Sequence, residues 1–335
     1  MRAGNDAALS GLYKTPTLLN PSPSTRQTPS KSASGSRFSS VGSLKDVENF
    51  DVTPVIGREF SSVSLVEWIP LPMVLTLAVS QRGVKELVDR LGSLSGKPST
   101  SRLHIHPISN SSREHSTPDD EISVISSAQR QKLYQSKSSF GRSGKHEWHS
   151  DITFEPVPTD YTLLRLTGLP ETGGDPLWAS GYEVYDRISK PYQAFLDNLK
   201  ATYAQPRFNL IADQNQFKIH RAIHPVVRTN PVTGWKSIFA IGYHVEKVNN
   251  LSEGESRHLL GWFVRLVTEN HDLQVRFRWQ NPNDLAIWNN GSVYHAATFD
   301  YQHLGPRTGH RAVGLGERPY FDSESKSRRE ALGLN

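Results

Sequence analysis

Cysteine is absent from the 335 residues of this chain. That absence removes disulfides, iron–sulfur clusters, thiolate zinc sites and a cysteine nucleophile, and leaves His, Asp and Glu as the strong side-chain metal ligands. No G-x-G-x-x-G or P-loop sequence occurs, which excludes the folds that cradle nucleotide phosphates in such loops. Long apolar runs are also missing. The longest, Ile69–Val79, carries Pro70 and Pro72 and reaches about half of the ~20 residues a bilayer crossing needs, so no membrane partner is expected. Before Thr15 there are Asn5 and Asp6 but no apolar segment, unlike a secretory signal. A soluble, cytoplasmic protein is the expectation. The formal charge is +5, yet many basic residues lie in the N-terminal tail and in Ser325–Arg329 rather than on one periodic face, so nucleic acid is not an expected partner.

What is present is enough for a substantial core, since 36% of residues are hydrophobic. Residues 1–45 are dominated by Ser, Thr, Pro, Gly and basic side chains, too little apolar surface to offset the entropy of ordering, and read as a disordered tail. Residues 46–335 read as a single domain. Within it, 109–144 is rich in serine and poor in large apolar residues, and reads as a long loop or lid. Val84, Leu87, Val88 and Leu91 recur at helical spacing in Gly83–Gly92. A second helix opens at Ser189-Lys190-Pro191, and Ser252 with Glu255 forms a capping box before Leu259, Phe263 and Val267. Strands are expected at Tyr161–Leu166, Gln274–Trp279, Ser237–Ile241, Asp284–Trp288 and Ala312–Leu315. Many short strands and few helices, with no internal repeat, predict an α+β protein built on an antiparallel sandwich or jelly roll.

The chemistry begins at His149-Ser150-Asp151. In extended chain residues i and i+2 share a face, so one imidazole and one carboxylate can reach a common ion. Two ligands hold a metal weakly. A third on a distant strand would complete a 2-His-1-carboxylate triad, which leaves adjacent positions open for a chelating cosubstrate and O2. His295, at the end of an apolar strand in "AIWNNGSVYHAATFDY", is the best candidate, while His104, His106, His220, His224, His244 and His310 compete.

The ordered set His149-x-Asp151, "ETGGDPLWASG" at 171–181, "IWNNGSVYHAATFDY" around His295 and "PRTGHRAVGLGERPYF" resembles the taurine dioxygenase-like family of Fe(II)/2-oxoglutarate-dependent oxygenases, in particular its fungal sulfonate dioxygenase branch. The resemblance runs from about Ser101 to Glu330 and takes in "SRLHIHP" and "SKSRREAL". It implies a double-stranded β-helix (jelly-roll) core flanked by helices. It also implies Fe(II) held by His149, Asp151 and His295, with 2-oxoglutarate and O2 as cosubstrates. By the same likeness Arg307 would anchor the far carboxylate of 2-oxoglutarate, for which a bidentate guanidinium is suited. Arg311 and His106 would meet the head group of a small anionic organosulfonate. The carbon next to sulfur would be hydroxylated, releasing sulfite, succinate and CO2. A homo-oligomer is compatible with this reading.

Three departures from the family pattern stand out. Pro176 occupies the place of the usual threonine after Gly-Gly-Asp, which removes a 2-oxoglutarate contact worth about 1.5–3 kcal/mol, roughly tenfold to a hundredfold in affinity. Trp288-Asn289-Asn290-Gly291 replaces Trp-Asp-Asn-Arg, with loss of a charge pair. "WIPLPMVLTLAV" and "VSQRGVKELVDRLG" join where relatives carry a further apolar strand, which would leave a sheet edge unfilled. These leave three alternatives open: a 2-oxoglutarate-dependent hydroxylase of a non-sulfonate metabolite, a catalytically impaired family member, and, last, a zinc hydrolase.

Overall fold

The computed structural model describes residues 47–61, 81–99, 101–106, 119–128, 143–205 and 221–334. The tail at 1–45 lies outside the described residues, as do His220 and the junction at 62–80. The architecture is mixed, with mostly antiparallel sheets and few helices. In chain order the elements are β1 (Asn49–Asp51), β2 (Arg58–Phe60), α1 (Gln81–Leu94), β3 (Ile122–Ser126), β4 (Thr159–Gly168), β5 (Pro176–Ser180), α2 (Gly181–Asp186), α3 (Lys190–Leu196), β6 (Lys200–Ala204) and β7 (Arg221–Pro225). There follow β8 (Val227–Thr229), β9 (Lys236–Ile238), β10 (Val245–Val248), α4 (Glu253–Thr268), β11 (Gln274–Arg276), β12 (Leu285–Asn289), β13 (Val293–Ala297), β14 (Thr308–Leu315) and α5 (Arg328–Leu332).

Two sheets organise the molecule: a four-stranded one in the order β12-β4-β14-β3 and a three-stranded one in the order β11-β5-β13. Strand β4 is buried nearly throughout because both of its faces are covered. Leu163 points to α1, where it joins Val84, Val88, Leu103, Ile122 and Ala312. Leu164 and Leu166 point the other way and meet Trp178, Val275, Ala286 and Trp288 from β5, β11 and β12, with Trp279 from the segment after β11. The last cluster lies between the two sheets. A third and larger cluster packs α2, α3 and α4 against β6 and β9 through Val184, Leu196, Tyr203, Ile238, Leu259 and Phe263.

The helices begin where the sequence places them. In α4 the Ser252 hydroxyl accepts from Glu255 N–H while the Glu255 carboxylate receives Ser252 N–H, the capping box that satisfies two otherwise unpaired donors. Helix α1 extends the expected span by two residues at each end.

Other expectations need correction. Within 109–144, Ile122–Ser126 is not loop but strand β3, paired to β14 and buried at Ile122, Ser123 and Val124; a single buried strand in a serine-rich stretch leaves no periodicity to read. The expected strand Gln274–Trp279 stops at Arg276. Phe277 N–H still reaches the Pro176 carbonyl at 3.1 Å, but proline has no N–H to return the bond, so the ladder ends there. The expected strand Ser237–Ile241 keeps only Lys236–Ile238.

The C-terminal "SKSRREAL" docks by charge. Glu183 of α2, 1% exposed in its side chain, accepts from Arg328 Nη1 at 2.9 Å and Arg329 Nη2 at 3.1 Å, and Arg329 N–H meets Asp186. Removing the carboxylate leaves two guanidinium groups beside a low-dielectric surface. We expect Glu183→Ala to lower unfolding free energy by about 3 kcal/mol, measured as an unchanged slope and a lower midpoint in urea.

Candidate metal centre

His295 sits in the middle of its own strand, β13, rather than at the end of the preceding apolar strand; the turn 290–292 separates it from β12. It faces Trp178 of β5 directly in register, so the two side chains share a face, and its ring lies 5.1 Å from Trp288 of the opposing sheet. The imidazole therefore stands where the two sheets meet. His149 is brought to it by the backbone. The two residues exchange both hydrogen bonds, His149 N–H to His295 carbonyl at 3.0 Å and the reverse at 2.8 Å, and their rings are 4.2 Å apart.

On its other side His149 bridges to Gly242. Gly242 has φ +106°, and a Cβ there would come within 2.7 Å of the Trp148 carbonyl and 2.8 Å of His149 Cα. Only glycine permits this approach. Gly242→Ala should therefore displace the His149 strand, lower the thermal midpoint, and weaken divalent-metal binding by about tenfold or more, read by calorimetric titration.

Asp151 reaches the same point by a different route from the extended i, i+2 geometry expected. It lies in a turn, and the next residue, Ile152, has φ +56°, a left-handed conformation that costs a β-branched residue on the order of 1–3 kcal/mol. Asp151 Oδ1 is 3.8 Å from His149 Nε2 and 3.8 Å from His295 Nε2. One ligand atom from each of the three residues lies within 4.8 Å of the others, close enough to share one ion with metal–ligand distances of about 2 Å. Among the described residues this is the one His/Asp/Glu group with such spacing.

The protonation states suit a divalent cation. Burial pushes both imidazoles below the ordinary histidine value, His295 to about 3 and His149 in the same direction. Burial acts in the opposite sense on the Asp151 carboxyl, but the Arg311 guanidinium beside it holds the group below the usual carboxylate range. At neutral pH the set is two neutral rings and one carboxylate, the forms in which these residues ligate. His149 Nδ1–H donates to the Glu147 carbonyl at 2.7 Å, fixing the tautomer whose Nε2 lone pair faces Asp151. His295 Nδ1 is buried with no hydrogen-bond partner among the described residues, so its orientation rests on packing.

The two arginines occupy one strand and its approach. Four residues of extended chain place Arg307 and Arg311 on the same face roughly 13 Å apart. Arg311 Nη1 donates to Asp151 Oδ1 at 3.0 Å, and its Nε is buried with no partner among the described residues. Arg307, 8% exposed, donates through Nε to the Gly174 carbonyl at 2.7 Å. Gly174 has φ +71°, and a Cβ there would lie 2.9 Å from Arg307 Cδ. Pro176 opens β5 next to this loop, and the neighbouring Thr298 hydroxyl donates to the Asp175 carbonyl at 2.8 Å.

His106 is half-buried at the end of a segment that continues the sheet alongside β14, with its ring 6.2 Å from His104. His104 has the structural place expected of it, its Nε2 3.2 Å from Glu155. Of the competing histidines, His224 donates to the Thr153 and Glu155 carbonyls and His244 Nδ1 is 3.1 Å from the Thr153 hydroxyl; both support the turn around Asp151 rather than the triad itself. Sequence reasoning did not find Gly242, Tyr243, whose half-exposed ring lies 4.7 Å from that of His149, or Asn290. The segment "IGYH" carries a glycine signal that a close backbone approach could have explained. The Asn289–Gly291 departure has a structural counterpart. Arg228, 1% exposed and paired with Glu317, fills the space beside Gly291, where a Cβ would stand 3.1 Å from its Cζ.

Residues 74–313 match the family described as "Taurine catabolism dioxygenase TauD, TfdA family". The chain is 44% identical over 332 residues to the alpha-ketoglutarate-dependent dioxygenase btcD of Neocamarosporium betae, covering 87% of this chain and 97% of that protein. It is 30% identical to the alpha-ketoglutarate-dependent sulfonate dioxygenase of Saccharomyces cerevisiae, covering 84% and 69% of the two. The crystal structure of a taurine dioxygenase from Burkholderia xenovorans superposes with a TM-score of 0.60 at 21% identity, over 82% of this chain and 93% of that one, a likeness of fold.

Proposed function

The chain belongs to the TauD/TfdA family of Fe(II)- and 2-oxoglutarate-dependent dioxygenases, and from that premise we propose that it hydroxylates the carbon next to sulfur of a small organosulfonate, releasing sulfite. As a member it is an oxidoreductase that uses ferrous iron, 2-oxoglutarate and O2. No helix among the described residues is long and apolar enough to cross a membrane. The two facing sheets are read as the halves of a double-stranded β-helix, with residues 46–335 as one domain.

His149, Asp151 and His295 would hold the iron; their charge states and the fixed tautomer of His149 fit it. Bound there with 2-oxoglutarate, iron supplies O2 activation coupled to oxidative decarboxylation, giving succinate and CO2. The protein's own groups bind and orient. Arg307 would receive the far carboxylate of 2-oxoglutarate as a bidentate partner, with no hydroxyl at Pro176 to assist. Arg311 and His106 would receive the sulfonate, and Trp178 and Trp288 form apolar wall beside His295 that keeps bulk water away. Hydroxylation at the carbon bearing sulfur turns sulfite into a leaving group, so no further catalyst is needed for cleavage.

The observation that carries the sulfonate reading is the part-buried guanidinium of Arg311, placed against the Asp151 carboxylate with its Nε buried and unpartnered among the described residues: a fixed cation at the ligand set suits an anionic head group. A second reading, hydroxylation of a non-sulfonate metabolite, is favoured by the 44% identity to btcD, whose name specifies no sulfonate. Incubation with Fe(II), 2-oxoglutarate, O2 and a series from taurine to longer alkanesulfonates separates the two. Sulfite formed in step with succinate supports the first; succinate without sulfite from every sulfonate overturns it.

A further inference from the structure

We propose that Asn290, in the turn between β12 and β13, is a positioning residue for the metal centre: its side-chain amide fixes the orientation of Asp151 and thereby sets metal affinity. This rests on reading His149, Asp151 and His295 as the ligand set.

Asn290 is 1% exposed, and every hydrogen-bonding position of its amide is used. Oδ1 accepts from Asp151 N–H at 3.2 Å and from Trp288 Nε1–H at 3.1 Å. Nδ2 donates to the Thr162 hydroxyl at 2.8 Å and to the Asp160 carbonyl at 3.3 Å. Turning the amide over would set its NH2 against two N–H donors, so the network allows one orientation. The backbone is tied too, with Asn290 N–H 2.7 Å from the Asp160 carbonyl. Asn290 is thus anchored to β4 and presents one carbonyl oxygen to two places at once: the peptide of one ligand, Asp151, and the indole that packs on another, His295.

Strand β4 also holds the other polar group of the Asp151 backbone. The Thr159 hydroxyl donates to the Asp151 carbonyl at 3.0 Å. Both polar groups of the Asp151 backbone are therefore held by groups anchored on one strand. The turn needs such restraint, because Ile152 at φ +56° is in a conformation that a β-branched side chain leaves when it is free to. Without the amide, the turn relaxes and the carboxylate spreads over several directions, only one of which faces His149 and His295. Outer partners that orient metal ligands are worth about 10- to 100-fold in metal affinity.

The test is Mn(II) binding to the full-length chain, followed by the electron paramagnetic resonance signal of the free ion, with the thermal midpoint of each metal-free variant measured alongside. Asn290→Ala and Asn290→Ser should weaken Mn(II) binding about 10- to 100-fold. Asn290→Asp keeps an oxygen facing Asp151 N–H and Trp288 Nε1–H while setting a carboxylate against the Asp160 carbonyl. It should lose thermal stability yet bind Mn(II) within about threefold of wild type, since the acceptor is retained. Should Asn290→Ala not fold, the Ser and Asp variants decide the matter. Lower midpoints with unchanged Mn(II) affinity in Ala and Ser would make Asn290 a structural residue only and overturn the proposal. Loss of binding in Asp equal to that in Ser would do so as well. Wild type failing to bind Mn(II) would instead remove the ligand set itself, and this inference with it.

Discussion

Asp151→Ala should abolish ferrous-ion binding and succinate formation together, a loss beyond the roughly 100-fold that removal of an outer-shell partner causes. Asp151 contributes the only negative charge to the triad, and its Oδ1 lies 3.8 Å from both imidazole nitrogens. Without it two neutral rings remain, facing the Arg311 guanidinium, and that cation would repel an incoming metal. His149→Ala and His295→Ala should bind weakly for a different reason, since each leaves one imidazole and a carboxylate already engaged by Arg311. Calorimetric titration with Fe(II) under nitrogen, paired with a succinate assay in air, reads both losses. Unchanged secondary structure by circular dichroism separates them from unfolding.

Arg307→Ala should raise the 2-oxoglutarate concentration needed for half-maximal succinate formation by on the order of a hundredfold or more, while Fe(II) affinity stays near wild type. Truncating one side of a buried charge pair costs about 2–5 kcal/mol, and Arg307 is buried, held by the Gly174 carbonyl. Arg307→Lys keeps the charge but not the bidentate fork, so it should fall between. Gly174→Ala should reproduce part of the effect without replacing a ligand-binding side chain, because its Cβ would meet Arg307 Cδ at 2.9 Å and displace that side chain. Were Arg307→Ala to leave 2-oxoglutarate dependence unchanged while Arg311→Ala raised it, the roles assigned to the two arginines would be reversed.

The parts of this molecule that were legible in the sequence are those governed by local rules. Ser252 and Glu255 predicted the start of α4 because a capping box is complete within four residues. The apolar spacing of Val84 and Val88 predicted α1 because one face of a helix repeats whatever it packs against. The ligand set was not legible from spacing alone. His149-x-Asp151 suggested an extended pair, whereas Asp151 turns away from the strand at a left-handed Ile152; the strand context favoured His295, and the ordered motifs of a family set it apart from its competitors. What could not be read are groups whose roles arise between distant segments. Glu183 reads as an ordinary helix acid until Arg328 and Arg329 arrive from 145 and 146 residues away. Gly291 reads as a missing arginine until Arg228 is seen in its place. Asn290 belongs to this class, since three of its four partners lie 128 to 139 residues upstream.

The most direct measurement is the visible absorption of the oxygen-free protein on stepwise addition of Fe(II) and then 2-oxoglutarate. The weak metal-to-ligand charge-transfer band of a chelated 2-oxo acid should appear with one equivalent of each, and should be missing from Asp151→Ala and from His295→Ala. A folded wild-type protein that takes up both without developing the band, or a band that persists in the Asp151 variant, would contradict the placement of ferrous iron on these three side chains.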